Sequence, residues 1–121
     1  VARDLQKEAA DQGLLVTGPI YWFYHGADGN PDTVFTLQIA IPVAGSPVAT
    51  QNILVAQVPE FKCLATIHSG PWSGFSATYS TLMQGIAADG LQLNGVCREA
   101  YLNIDFENTE ANITEIQIGI R

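Results

Sequence analysis

Gly13-Leu14-Leu15-Val16-Thr17-Gly18-Pro19-Ile20-Tyr21-Trp22-Phe23-Tyr24 and Gly90-Leu91-Gln92-Leu93-Asn94-Gly95-Val96-Cys97-Arg98-Glu99-Ala100-Tyr101 are two versions of one segment, set 77 positions apart. Leu37-Gln38-Ile39-Ala40-Ile41 matches Ile116-Gln117-Ile118-Gly119-Ile120 at a shift of 79, the difference falling in a turn. An internal repeat of this kind predicts two half-domains of like fold related by a pseudo-two-fold axis, with a small-molecule pocket between them. Glu99 stands where the first copy has Trp22, and Tyr101 where it has Tyr24. The second copy therefore sets a single carboxylate among aromatic residues.

The chain of 121 residues has the length of one domain with room for its own core. A formal charge of −7 repels phosphate backbones and argues against direct nucleic-acid contact by this domain. No apolar run approaches the length of a membrane span. Arg3, Asp4, Lys7, Glu8 and Asp11 near the start are incompatible with a signal peptide, so a cytoplasmic protein with reduced thiols is expected. Cys63 and Cys97 lie in apolar, strand-like surroundings, where cysteine acts as a small buried hydrophobe. Asn112-Ile113-Thr114 fits a glycosylation sequon, idle without a secretory signal.

Arg3 to Gln12 is rich in helix formers, with a thin apolar stripe (Ala2, Leu5, Ala9) and Gly13 as its cap. Ile20 to Tyr24 reads as a strand buried on both faces. A turn over Gly26 to Asp32 leads into Thr33 to Ile41, which alternates with Phe35, Leu37, Ile39 and Ile41 on one face. Val43 to Asn52 connects the halves. Ile53 to Val58 and Phe61 to His68 read as strands broken by Pro59-Glu60. Pro71 opens a helix that runs from Trp72 through Phe75, Tyr79, Leu82, Met83 and Ile86 to Gly90. Strands over Val96 to Ile104 and Ile113 to Ile120 complete the chain.

The expectation is an α+β fold over 1–121. It has a duplicated strand-helix-strand-strand unit (pseudo-repeats about 1–43 and 53–121), antiparallel sheets, two helices and a pocket between the halves. The first-copy counterpart of the Phe61 strand would fall before Val1, so the first strand is expected upstream and the chain begins inside a fold.

On a strand, Cys97, Glu99 and Tyr101 share one face while Arg98 and Ala100 take the other, so Arg98 cannot readily neutralise Glu99. Ile20, Trp22 and Tyr24 form the matching row. A carboxylate in apolar surroundings either gains a proton or waits for a cation, and aromatic faces attract the same cations. The alternative is a half-exposed Glu99 paired across the sheet with Lys62 or Arg121. Trp22 and Tyr24 taken alone suit core packing better than ligand binding.

Other motifs fail. Asp28-x-Asn30-x-Asp32 opens like a calcium loop, but Thr33 and Ile39 replace its glycine and closing glutamate. Gly70-Pro71-Trp72-Ser73-Gly74 misplaces the serine for a nucleophile elbow. His25 and His68 have no metal-site spacing around them, so neither metal nor cofactor is expected. His68 reads as a hydrogen-bonded residue at a strand end.

His68-Ser69-Gly70-Pro71-Trp72, the aromatic-spaced helix, Arg98-Glu99-Ala100-Tyr101-Leu102 and Thr114-Glu115-Ile116-Gln117-Ile118 together resemble the GyrI-like small-molecule (effector) binding family. Its domains occur alone or fused to DNA-binding modules of AraC- and MerR-type regulators. Arg98 to Leu102 is the most specific element, and Trp72 stands where the family more often has tyrosine. The resemblance implies a pocket for hydrophobic, often cationic or aromatic, compounds, with Glu99 as the charge partner and Trp22, Tyr24, Trp72 and Tyr101 as walls. Phe75 and Tyr79 are assigned to the core.

The domain would then be a transcriptional effector sensor, with a DNA-binding domain upstream, or a drug-sequestering protein. Some family members are hydrolases of cyclopropane-containing electrophiles, so whether the chain is an enzyme, with Glu99 as its catalytic residue, stays open. A third reading is inhibition of a protein partner such as gyrase through an acidic face. The fold is also shared with the SOUL haem-binding family, for which His25 and His68 are the conventional axial candidates.

Overall fold

Residues 2–27 and 32–121 are described by a computed structural model of the chain. Asp28 and Asn30 of the rejected calcium motif, and most of the turn that holds them, lie outside the described residues. The aromatic run Ile20–His25 forms β2 and the long segment Leu93–Asn103 forms β6. They pair antiparallel with Trp22 facing Glu99, Ile20 facing Tyr101 and Tyr24 facing Cys97. Trp22 thus lies opposite its own counterpart in the repeat, and the pseudo-two-fold axis passes between Trp22 and Glu99.

Thr36–Ala40 forms β3 outside β2, with Ile39 facing Trp22. Ile113–Ile120 forms β7 outside β6, with Ile116 facing Glu99. Ile39 and Ile116 are therefore equivalent, and the outer strands keep the same shift of 77 as the inner ones. The alignment at 79 slides by two residues, an error that leaves every side chain on its proper face. Cys63–Ser69 forms β5 beyond β7, which completes an antiparallel sheet of order β3-β2-β6-β7-β5.

The first helix, α1, spans Ala2–Asp11, and α2 spans Phe75–Ala88. A 3-10 turn over Trp72–Gly74 precedes α2, so the helix begins three residues later than Trp72. Gly74 sits against the His68 ring, and a Cβ there would lie 3.0 Å from its Cε1. Two short strands, β1 (Leu15–Val16) and β4 (Val43–Ala44), pair as a ribbon within what reads as loop and connection. The Gln12 side-chain amide bonds both the N–H and the C=O of Val48, which ties that connection to α1.

Two strand expectations are corrected. Ile53 to Val58 forms no strand. Most of its apolar residues stay exposed, Leu54 by 87% and Val58 by 59%, and they rim two open clefts. Ile53 to Ala56 rim that of Leu5, Ala9 and Leu14, and Val58, with Pro59 and Phe61, rims that of Tyr21 and Phe23. The strand β2 is half-buried along its length rather than buried on both faces. The fully buried core belongs to the second half, where Leu82 and Ile86 of α2 meet Ile116, Ile118 and Ile120 of β7. Leu64, Phe75, Tyr79, Leu91 and Cys97 close around it.

Cys97 pairs in register with Ile118 on this covered face, while Cys63 pairs with Gly119 on the other. Both are free thiols, and burial pushes both above the ordinary thiol range. Among the described residues no helix is long and apolar enough to cross a membrane.

Candidate functional site

Strand alternation turns Glu99 toward α2, and its side chain is only 4% exposed. Oε1 accepts hydrogen bonds from the Tyr101 hydroxyl at 2.5 Å and the Tyr24 hydroxyl at 3.2 Å. Oε2 accepts from the Tyr79 hydroxyl at 2.5 Å. Pairing of a half-exposed Glu99 with Lys62 or Arg121 is thereby overturned, since both of those residues are exposed and Glu99 is enclosed by phenols. A buried carboxylate without partners costs several kcal/mol, and hydrogen bonds to a charged acceptor offset much of that. A carboxylate offers about four lone-pair sites, so three donors leave one direction unfilled.

Each tyrosine comes from a different element. Tyr24 lies on β2 one register step from the carboxylate, and Tyr101 follows it by two on β6. Tyr79 reaches down from α2, four residues after Phe75. All three phenols are pushed far above the ordinary value of 10, first by burial and then by the adjacent Glu99. They are neutral donors at any working pH.

Raised folded-state values mean that the unfolded chain ionises first. The stability linked to these phenols is complete below about pH 10 and declines as pH rises beyond it. Urea unfolding followed from about pH 8 to about pH 11 should show this loss, with a smaller loss in Tyr79→Phe. A flat profile would contradict the burial of these hydroxyls.

Aromatic rings frame the cluster. Trp22 meets Tyr101 edge-on at 5.8 Å and lies tilted to Tyr24 at 6.3 Å between centroids. Trp72 meets Tyr101 at 5.6 Å and Phe106 at 6.1 Å, both edge-on, and Phe35 lies 5.7 Å from Tyr24. Trp72 and Phe35 are partly open to solvent, and Phe106 is 81% exposed. All five residues singled out in the sequence (Trp22, Tyr24, Trp72, Glu99 and Tyr101) therefore fall in one neighbourhood.

Three further residues join them. Tyr79 belongs both to the edge of the core and to the carboxylate; its place one helical turn from Phe75, on the face toward β6, is the signal that it could do both. Phe35 arrives from the lead-in to β3. Phe106 was overlooked, although a phenylalanine within an acidic turn is itself a sign of an exposed apolar contact.

His68 is tied down structurally. Its Nε2–H donates to the Pro71 carbonyl at 2.9 Å, while Nδ1 is 2.7 Å from the Thr78 hydroxyl. His25 Nε2 lies 2.9 Å from Gln38 Oε1. Among the described residues no group of three His, Cys, Asp or Glu side chains could hold a metal ion. Thr114, which faces Tyr101 across the sheet, has a buried hydroxyl without a hydrogen-bond partner among the described residues. Two open cavities lie elsewhere, one of about 100 Å³ beside α1 and one of about 370 Å³ beside Arg98. Glu99 lines neither of them.

No curated protein matches the chain. Solved structures that share its fold include two of EcmrR. The crystal structure of the EcmrR C-terminal domain superposes with a TM-score of 0.81 at 23% identity, over 98% of this chain and 78% of that one. The cryo-EM structure of an EcmrR–DNA complex gives the same TM-score and identity, over 98% of this chain and 46% of that one. The chain therefore spans less than half of the EcmrR subunit seen on DNA. The model of a single family, described as the GyrI-like small molecule binding domain, matches residues 1–121. With its antiparallel sheet, its two helices and that match over the full length, the chain belongs to the GyrI-like small-molecule binding domain family.

Proposed function

We propose that the Glu99 cluster is the receptor for a flat, hydrophobic organic cation. The observation that carries this reading is a buried carboxylate whose hydrogen-bond partners are three neutral hydroxyls. The cluster holds negative charge ready and supplies no cation of its own. Ring faces of Trp22, Tyr24, Tyr101 and Trp72 would add cation–π attraction of about 0.5–2 kcal/mol each where they are desolvated. The cluster is closed by its own rings, so entry requires Trp72, Phe35 and Phe106 to part, and their exposure supports that route.

Binding is favoured over hydrolysis of a strained electrophile. The three phenols hold three of the roughly four lone-pair directions of Glu99, so attack on a substrate or on water would have to use the one direction left or displace a phenol. As EcmrR is seen on DNA and matches this chain over 46% of its subunit, the proposal includes a sensing role for the domain in a regulator of that kind.

Calorimetric titration with N-methylacridinium and with its uncharged carbon analogue tests the reading. The cation should bind at least about tenfold more tightly. Equal affinities, or tighter binding of the neutral compound, would overturn it. Incubation with a cyclopropane-bearing alkylator, followed by mass spectrometry, should show no turnover above background.

A further inference from the structure

Successive residues of β6 point to opposite faces, so Arg98 faces away from the Glu99 cluster. The guanidinium carbon lies 3.9 Å from the Phe61 ring centroid, and 5.7 Å from those of both Tyr21 and Phe23. Tyr21 and Phe23 themselves stack with centroids 5.8 Å apart. Nε donates to Gln117 Oε1 at 2.7 Å, and Gln117 passes a second hydrogen bond to Glu115 at 2.6 Å. The terminal guanidinium nitrogens have no hydrogen-bond or ion-pair partner among the described residues. Beside them opens the cavity of about 370 Å³, whose lining includes Tyr21, Phe23, Ala40, Val58, Phe61 and Arg98.

Arg98 is the sole charged residue of that lining, within a chain of net charge −7. A volume above about 300 Å³, apolar walls and one oriented polar group are the marks of a small-molecule site. Aromatic contact packs against the guanidinium carbon and takes up none of its terminal N–H groups, which can grip a carboxylate with two parallel hydrogen bonds. We propose that this cavity is a second ligand site, on the opposite side of the sheet from Glu99, for a small aromatic carboxylate. The carboxylate lies in the plane of Arg98, and its ring packs among Tyr21, Phe23 and Phe61. The two sites take ligands of opposite charge from neighbouring residues of one strand. They share no lining residue, so one reading can fail while the other stands.

The test uses naphthoate and naphthamide, which differ in charge and little in shape. Calorimetric titration of the intact chain should show naphthoate binding at least about tenfold more tightly than naphthamide. Amide chemical shifts should move at Tyr21, Phe23, Phe61 and Arg98. Arg98→Met should abolish the preference, and Arg98→Lys should recover only part of it. Ala40→Phe, which fills the cavity and leaves the guanidinium in place, should abolish binding even if Arg98→Met fails to fold. Equal affinity for the two compounds, no binding, shifts confined to the Glu99 side of the sheet, or full binding by Ala40→Phe would each overturn the proposal and leave Arg98 as a stacking element for Phe61, just before β5.

Discussion

Glu99→Gln is expected to weaken binding of a planar cation by about tenfold or more, a loss of about 1.4 kcal/mol. The substitution keeps the shape of the side chain and removes its charge. It also replaces one acceptor oxygen with an NH₂ group that faces a phenol. The phenol can rotate to accept from it and gives up the hydrogen bond of its own proton, a loss offset in part because a neutral amide is cheaper to bury than a carboxylate, so the fold should survive. The neutral analogue should bind both proteins alike. Titration of wild type and variant with N-methylacridinium, with thermal melting as the folding control, provides the measurement. Identical affinities would remove Glu99 from the binding site.

Ile116→Ala should produce the largest loss of stability. Ile116 is 0% exposed, faces Glu99 across the sheet and lies under Leu82 and Ile86. Removing its side chain costs the transfer free energy of the lost carbons and leaves a cavity that a closely packed core refills poorly. About 2–5 kcal/mol is the expected cost. A domain of this size has only about 5–15 kcal/mol of stability in total. The melting temperature should fall by roughly 10 °C. Ile113→Ala, at the exposed start of the same strand, should change stability by no more than about 0.5–1 kcal/mol. A loss below about 1 kcal/mol for Ile116→Ala, read from the urea midpoint, would mean that the core does not centre on β7.

The internal repeat was the most legible feature of the chain. Its pattern of glycines and aromatics survives in both copies, and it led to the antiparallel α+β fold. The alignment of Leu37 with Ile116 slipped by two because isoleucine recurs at every second position of β7, and a period of two cannot distinguish registers that differ by two. Ile53 to Val58 resembled a strand because apolar residues run through it. Composition alone does not show that those residues stay largely exposed at the rims of two clefts instead of pairing in the sheet. Tyr79 was assigned to the core correctly and incompletely, since helical spacing gives the direction of its ring and says nothing about the end of its hydroxyl.

By itself the sequence determined which residues alternate on β6, and hence that Glu99 and Arg98 must part to opposite faces, because a strand turns each successive side chain over. It also placed aromatic residues beside that glutamate in the repeat. Only the tertiary structure decided what the carboxylate meets. Tyr24, Tyr79 and Tyr101 come from separate elements, and hydroxyls so far apart along the chain converge on one carboxylate only after β2, β6 and α2 have packed. The surroundings of Arg98 were decided in the same way, because Phe61 lies 37 positions away in the chain and reaches the guanidinium only when the segment leading into β5 folds against the sheet.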